Sequence, residues 1–134
     1  RALNSGGRLV AEFGGQRNCE ALEAAITTAL QRQAGREYIS PWFFPSLADY
    51  ASRLETNGFT VRAAWHFDLP TPLQGEDGLR QWVLQFLPQQ LDGLDAAKQE
   101  AVLADMEAAL RPTLWRDGAW QADYRRLRVV AEAA

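Results

Sequence analysis

Apolar positions recur with two different periods along this chain, and they predict an alternation of strands and helices. A short apolar run at 9–13 lies between two glycine pairs and is typical of a strand buried on both faces of a parallel sheet. Residues 59–67 alternate with a period of two, which predicts a second strand whose apolar face carries Val61, Ala63, Trp65 and Phe67. Residues 124–131 predict a third strand, and the fold class is therefore predicted to be α/β.

Two helices are predicted between the first and second strands. One is expected to begin at an Asn18 cap and to end at Gly35, and the next to begin at Ser46 and to end at Gly58. The segment 38–45 between them contains two prolines and several aromatic residues, so we predict an ordered but irregular connection.

Two further helices are predicted before the last strand, with Asp77 and Asp95 as their amino-terminal caps. Leu79, Trp82 and Val83 belong to the apolar stripe of the first of these helices. The predicted order is therefore strand, helix, helix, strand, two helices, strand, without any internal repeat.

Composition limits the possible functions. The 134 residues, of which 47% are hydrophobic, suffice for the core of a single domain spanning 1–134. Fourteen basic and seventeen acidic residues give a net charge of −3, and no basic stripe indicates a nucleic-acid partner. One cysteine and one histidine allow neither an internal disulfide nor a zinc site, so we expect a reducing, cytoplasmic location. No stretch approaches the roughly 20 apolar residues of a membrane span.

Several motifs together resemble a known family. They are the segment 3–10, Phe44-Pro45-Ser46, Asn57-Gly58-Phe59 and the closing segments 117–120 and 123–130. In this order and spacing they resemble the closing half of a class I S-adenosylmethionine-dependent methyltransferase, of the small-molecule, trans-aconitate type. The resemblance implies a partial Rossmann-like sheet whose last two strands are an antiparallel pair. It also implies that the two helices of residues 76–112 form an insertion over the substrate pocket.

The cofactor motif of this family is not found in the sequence. The family has a glycine-rich turn after its first strand, whereas no strand here is followed by G-x-G-x-x-G. The resemblance implies that the complete enzyme uses S-adenosylmethionine and a small-molecule methyl acceptor. We expect this chain to be a truncated, substrate-binding and sheet-completing half that binds no cofactor alone and is inactive alone. The alternative is a non-enzymatic association module.

In either case the isolated chain is expected to self-associate. A strand at the open edge of a sheet offers unpaired backbone groups to a second molecule, and helix faces that lack their partners add apolar surface.

The loop after Phe13 is the first place to look for a site, because ligands bind beyond the carboxyl ends of strands in open α/β sheets. Gly14 and Gly15 either let the backbone approach a substrate or only permit a sharp exit from the strand. Glu12 either orients a substrate group or accepts hydrogen bonds from the loop. No catalytic residue and no metal site are assigned.

Aromatic and basic side chains complete the candidate substrate-binding set. Trp42, Phe43 and Phe44 lie on the proline-bounded connection and either line a pocket or fill the core. If the acceptor is a carboxylate, Arg17 or Arg80 could bind it bidentately, although both could also be surface residues. Trp82 is the last member of the set. His66 is expected to be exposed, because the opposite face of its strand carries the large apolar residues. Methyl transfer needs a general base only if the acceptor is protonated.

Overall fold

The structure, a computed structural model, describes residues 3–134. Within this range six strands and five helices follow one another, and the α/β class is confirmed. They are β1 (Arg8–Gly14), α1 (Glu20–Ala34), α2 (Leu47–Thr56), β2 (Phe59–Asp68), β3 (Thr71–Pro72), α3 (Gly78–Phe86), α4 (Pro88–Leu91), α5 (Ala96–Leu114), β4 (Trp115–Arg116), β5 (Ala119–Ala122) and β6 (Arg125–Ala133).

The chain divides into two compact units. The first unit contains the described residues up to Asn18 together with Trp42–Leu69 and Tyr124–Ala134, and the second contains Cys19–Pro41 and Pro70–Asp123. The three long strands and α2 belong to the first unit, whereas the other helices and a small β3-β5-β4 sheet belong to the second. Residues 76–112, for which the sequence predicts two helices, contain three: α3, α4 and most of α5.

The sheet of the first unit has the strand order β1-β6-β2, and β6 runs antiparallel to both of its neighbours. The predicted antiparallel pairing of the last two long strands is thus confirmed. The prediction that β1 is buried on both faces of a parallel sheet is wrong for the described residues. There β1 pairs with the antiparallel strand β6, and its side chains alternate between solvent and the core. Val10 is 66% exposed, whereas Leu9 and Phe13 pack into the core.

The core of the first unit lies between the sheet and α2. Leu54 of α2 is buried against Val129 and Ala131 of β6, and the Phe13 and Tyr50 rings meet edge to face at 4.6 Å. As predicted, the Ser46 hydroxyl caps α2 by accepting the Asp49 backbone N–H at 3.1 Å. Local capping and apolar spacing therefore place this helix.

A β-bulge at Arg62 reverses the alternation of β2. The pairing with β6 shifts between Val61 and Ala63, so Arg62 is the additional residue. Beyond the bulge Ala64 packs against the core and Trp65 is 50% exposed. The predicted apolar face is therefore wrong beyond Val61, because one inserted residue moves every later side chain to the other face of the sheet.

The second unit buries the apolar stripes of its helices. Its first helix begins after Cys19 rather than at an Asn18 cap, since the Asn18 side chain instead accepts the Arg125 backbone N–H at 2.7 Å. This helix ends at Gly35, as predicted, and Gly35 has a φ of 60°. The largest fully buried side chains of this unit are Leu22, Ile26, Leu30, Leu79, Val83, Leu87, Val102, Met106 and Trp120.

Candidate functional site

The loop that follows β1 depends on two glycines that are packed against rings. A Cβ atom on Gly14 would lie 2.5 Å from Cε1 of Phe44, and one on Gly15 would lie 3.1 Å from the His66 imidazole. Both glycines are buried. The absence of a side chain is therefore required for packing, which favours the structural alternative for Gly14 and Gly15.

Backbone hydrogen bonds hold this loop against the first unit. The Gly15 N–H donates to the Arg125 carbonyl at 2.9 Å, and the Gln16 N–H donates to the Pro45 carbonyl at 2.9 Å. His66 Nε2 lies 3.1 Å from the Gln16 carbonyl oxygen. The loop 14–18 is therefore fixed at the carboxyl end of β1, with Arg17 exposed and at a φ of 66°.

The aromatic residues of the proline-bounded connection have different environments. The Trp42 and Phe44 rings stack at 5.5 Å, and Phe44 in turn contacts Gly14. The Phe43 ring is 62% exposed and lies 5.1 Å from the Arg53 guanidinium. Trp42 is thus joined to the loop through Phe44, whereas Phe43 is on the surface with Arg53.

The sequence indicates Phe44 as part of an aromatic cluster with Trp42 and Phe43, but it does not indicate the contributions of His66 and Asn18 to this arrangement. His66 contacts the loop after β1 from β2, and Asn18, within the loop, lies beside Gly14 and does not cap the helix. The glycine pair was the available signal, because two adjacent glycines at a strand end indicate close packing from both sides.

Glu12 does not accept hydrogen bonds from the loop. Its Oε1 atom accepts from Nη2 of Arg128 at 3.1 Å across the paired strands β1 and β6. The same guanidinium lies 5.1 Å from the centre of the Phe67 ring. The pair is solvent-exposed, and such pairs contribute little to stability.

Arg80 and Trp82 belong to the second unit and have structural partners there. Arg80 forms ion pairs with Glu100 at 2.7 Å and with Glu107 at 2.9 Å. The hydrogen bonds that Arg80 donates, first to Glu107 and then to Glu100, raise the pKa of Arg80, and the hydrogen bond from Arg80 lowers the pKa of Glu100. The Trp82 indole is 4% exposed beside Phe86. These contacts favour structural roles for Arg80 and Trp82.

A second hydrogen-bonded cluster surrounds Glu23 on α1. The Tyr38 hydroxyl donates to its Oε1 atom at 2.7 Å, and the Ser40 hydroxyl donates to the same atom. Burial first, and then the contact with Glu23, raise the pKa of Tyr38 above its ordinary value. Tyr38 is therefore a neutral donor that fastens the connection to α1.

Neither a metal centre nor a membrane span is present in the part of the chain that the structure describes. Within residues 3–134, no three His, Cys, Asp or Glu side chains converge as metal ligands. No helix in that range combines the length and the apolar character that crossing a bilayer requires.

The chain is similar to a curated protein. The chain is 33% identical over 135 aligned positions to an uncharacterized methyltransferase of Schizosaccharomyces pombe, and the match covers 98% of this chain and 51% of that protein. No protein-family model matches the chain.

The chain also resembles solved structures at low sequence identity. A candidate methyltransferase of Bacillus halodurans C-125 gives a TM-score of 0.49 at 14% identity, over 98% of this chain and 58% of that one. The YcgJ protein of Bacillus subtilis gives a TM-score of 0.43 at 12% identity, over 99% of this chain and 53% of that one. The chain thus spans about half the length of the curated methyltransferase to which it is similar.

Proposed function

We propose that this chain is the substrate-binding and sheet-completing half of an S-adenosylmethionine-dependent small-molecule methyltransferase. The observation that carries the proposal is the 33% identity to a methyltransferase over 98% of this chain. The same match covers 51% of that relative. A match of this extent predicts that the two proteins share the architecture of this half.

The sheet of the first unit supports the sheet-completing role. Its central strand β6 pairs on both sides, with β1 and with β2. No strand among residues 3–134 pairs with the other edge of β1. In the proposed enzyme, the other half supplies a strand at that edge and so continues the sheet.

The loop after β1 supports the substrate-binding role. Methyl transfer from a sulfonium is an in-line displacement, so holding the acceptor in line supplies much of the catalysis. The fixed loop places the exposed Arg17 at the carboxyl end of β1, and Trp42 reaches the same loop through Phe44. We assign acceptor contact to Trp42 and carboxylate binding to Arg17.

S-adenosylmethionine is assigned to the other half of the proposed enzyme. The family holds this cofactor on a glycine-rich turn after a strand, and the present sequence has no such G-x-G-x-x-G motif. The cofactor supplies the methyl group, whereas the residues of this chain hold the acceptor. The chain alone is accordingly inactive.

A chimera tests the proposal through activity. Residues 1–134 replace the matched half of the fission-yeast relative, and methyl transfer from labelled S-adenosylmethionine to trans-aconitate is measured. Trp42→Ala is expected to raise the acceptor KM about tenfold, because it removes an aromatic contact of roughly 1.5 kcal/mol. Phe43→Ala, the exposed neighbour, is the matched control and should leave KM unchanged.

Two results would contradict this assignment. An unchanged KM in a folded Trp42→Ala chimera would mean that Trp42 does not contact the acceptor and serves only in packing. A folded chimera that binds S-adenosylmethionine but methylates no carboxylate acceptor would refute the substrate class.

A further inference from the structure

The loop after β1 contains a tight turn with an arginine at a position that favours glycine. The Asn18 N–H donates to the Gly15 carbonyl at 3.0 Å, which closes a four-residue β-turn over 15–18. Gln16 has no positive φ, whereas the φ of Arg17 is 66°. These signs are those of a type II turn. Its third position is normally glycine, because a positive φ is unfavourable for a residue with a side chain.

A type I turn would avoid this conformation of Arg17. The two turn types differ in the orientation of the central peptide, which here consists of the Gln16 C=O and the Arg17 N–H. Rotating that peptide by roughly half a turn would bring the φ of Arg17 to about −90°, a value that suits any residue. A hydrogen bond to the Gln16 carbonyl oxygen opposes this rotation and so favours the type II form.

His66 provides such a hydrogen bond. Its Nε2 atom lies 3.1 Å from the Gln16 carbonyl oxygen. Because a carbonyl oxygen can only accept, Nε2 carries the hydrogen and donates it. His66 belongs to β2, which β6 separates from β1 in the sheet, so the imidazole links the turn to a strand that is not its neighbour. Glycine at position 15 admits the ring, since an added Cβ would lie 3.1 Å from Cδ2 and Nε2.

Other hydrogen bonds hold the start of the turn but do not choose between the two turn types. The Gly15 N–H donates to the Arg125 carbonyl at 2.9 Å. The Gln16 N–H donates to the Pro45 carbonyl at 2.9 Å. Both donors precede the central peptide, so both bonds are compatible with either orientation of it. The bond from His66 differs, because it is lost when the Gln16 carbonyl oxygen turns away.

We propose that His66 is a positioning residue for acceptor binding, which selects the type II turn and thereby sets the direction in which the Arg17 side chain leaves the backbone. This inference rests on the proposed function, in which Arg17 binds the carboxylate of the acceptor. A change of φ at Arg17 redirects its Cα–Cβ bond, and a bidentate pair of guanidinium and carboxylate depends on direction as well as on distance. His66 acts through Arg17 and does not touch the acceptor.

Nuclear Overhauser spectroscopy of the labelled 134-residue chain tests the turn without any acceptor. A type II turn brings the Gln16 Hα atom close to the Arg17 amide proton, whereas a type I turn brings the two amide protons together. We expect the first pattern in the wild type and in His66→Gln, whose side-chain amide keeps a donor. His66→Phe keeps a ring without a donor and is expected to show the second pattern.

Acceptor kinetics in the chimera test the link to Arg17. His66→Phe is expected to raise the acceptor KM about fivefold, as the loss of one hydrogen bond does, with kcat nearly unchanged. His66→Gln is the matched control and should keep the KM of the unsubstituted chimera. In an Arg17→Ala background, His66→Phe should raise KM no further, because its effect passes through the Arg17 side chain.

Three results would overturn the positioning role. They are a type II pattern in folded His66→Phe, equal rises of KM in His66→Phe and His66→Gln, and KM effects of His66→Phe and Arg17→Ala that multiply. Failure of the proposed function gives a different result. A folded chimera that methylates no carboxylate acceptor, together with a turn that still changes in His66→Phe, would refute the proposed function and support turn selection by His66.

Discussion

Replacing Trp120 with alanine is expected to cost about 4 kcal/mol of the free energy of unfolding, the range of large aromatic truncations in cores. Trp120 is 0% exposed, and its indole N–H donates to the Glu76 carbonyl at 2.8 Å. Its ring also meets Trp115 edge to face at 5.4 Å and lies 5.2 Å from the Arg111 guanidinium. Alanine leaves a cavity and removes the partner of the Glu76 carbonyl.

The measurement is urea denaturation followed by circular dichroism. Trp65→Ala is the matched control. Because the Trp65 side chain is 50% exposed, its truncation removes much less buried surface and should change the free energy of unfolding by under about 1 kcal/mol. If the Trp120→Ala variant unfolds at the same urea concentration as the wild type, the buried position of Trp120 is wrong.

Replacing Gly14 with alanine is expected to destabilise the chain by about 2 kcal/mol, as overpacking of a filled interior does. The added Cβ would lie 2.5 Å from Cε1 of Phe44 and 2.8 Å from Nδ2 of Asn18. Neither neighbour moves freely. Phe44 is stacked on Trp42, and Asn18 holds the Arg125 backbone N–H.

Thermal unfolding and acceptor kinetics in the chimera both report on this substitution. The same variant should raise the acceptor KM, because displacing Phe44 displaces the stacked Trp42. Gly35→Ala is the control: no atom lies within 4 Å of its added Cβ, so only the strain of a φ of 60° remains, and KM should not change. A Gly14→Ala protein with wild-type stability and KM would contradict the packing described for the loop.

Local signals predicted local structure well. The second helix was bounded correctly by Ser46 and Gly58 because a cap hydroxyl and a glycine act on their own neighbours in sequence. The bulge at Arg62 was not predictable from the sequence of β2, since no glycine marks it. It is visible only in the pairing with β6.

Long-range contacts account for the other differences. The sequence favours Asn18 as a helix cap. In the structure its side chain instead accepts a hydrogen bond from the backbone N–H of Arg125, which lies 107 positions away. The glycine pair located the loop of the candidate site, but the rings of Phe44 and His66 that fill the space around it come from other segments. Residue types therefore indicated where a site lies, and tertiary contacts decided which side chains form it.

Calorimetric titration with S-adenosylmethionine tests the central claim most directly. We predict saturable binding to the chimera that joins residues 1–134 to the unmatched half of the fission-yeast relative, and no binding to the isolated chain. Saturable binding to the isolated chain, or a folded chimera that binds none, would contradict the division of the enzyme into a cofactor half and an acceptor half.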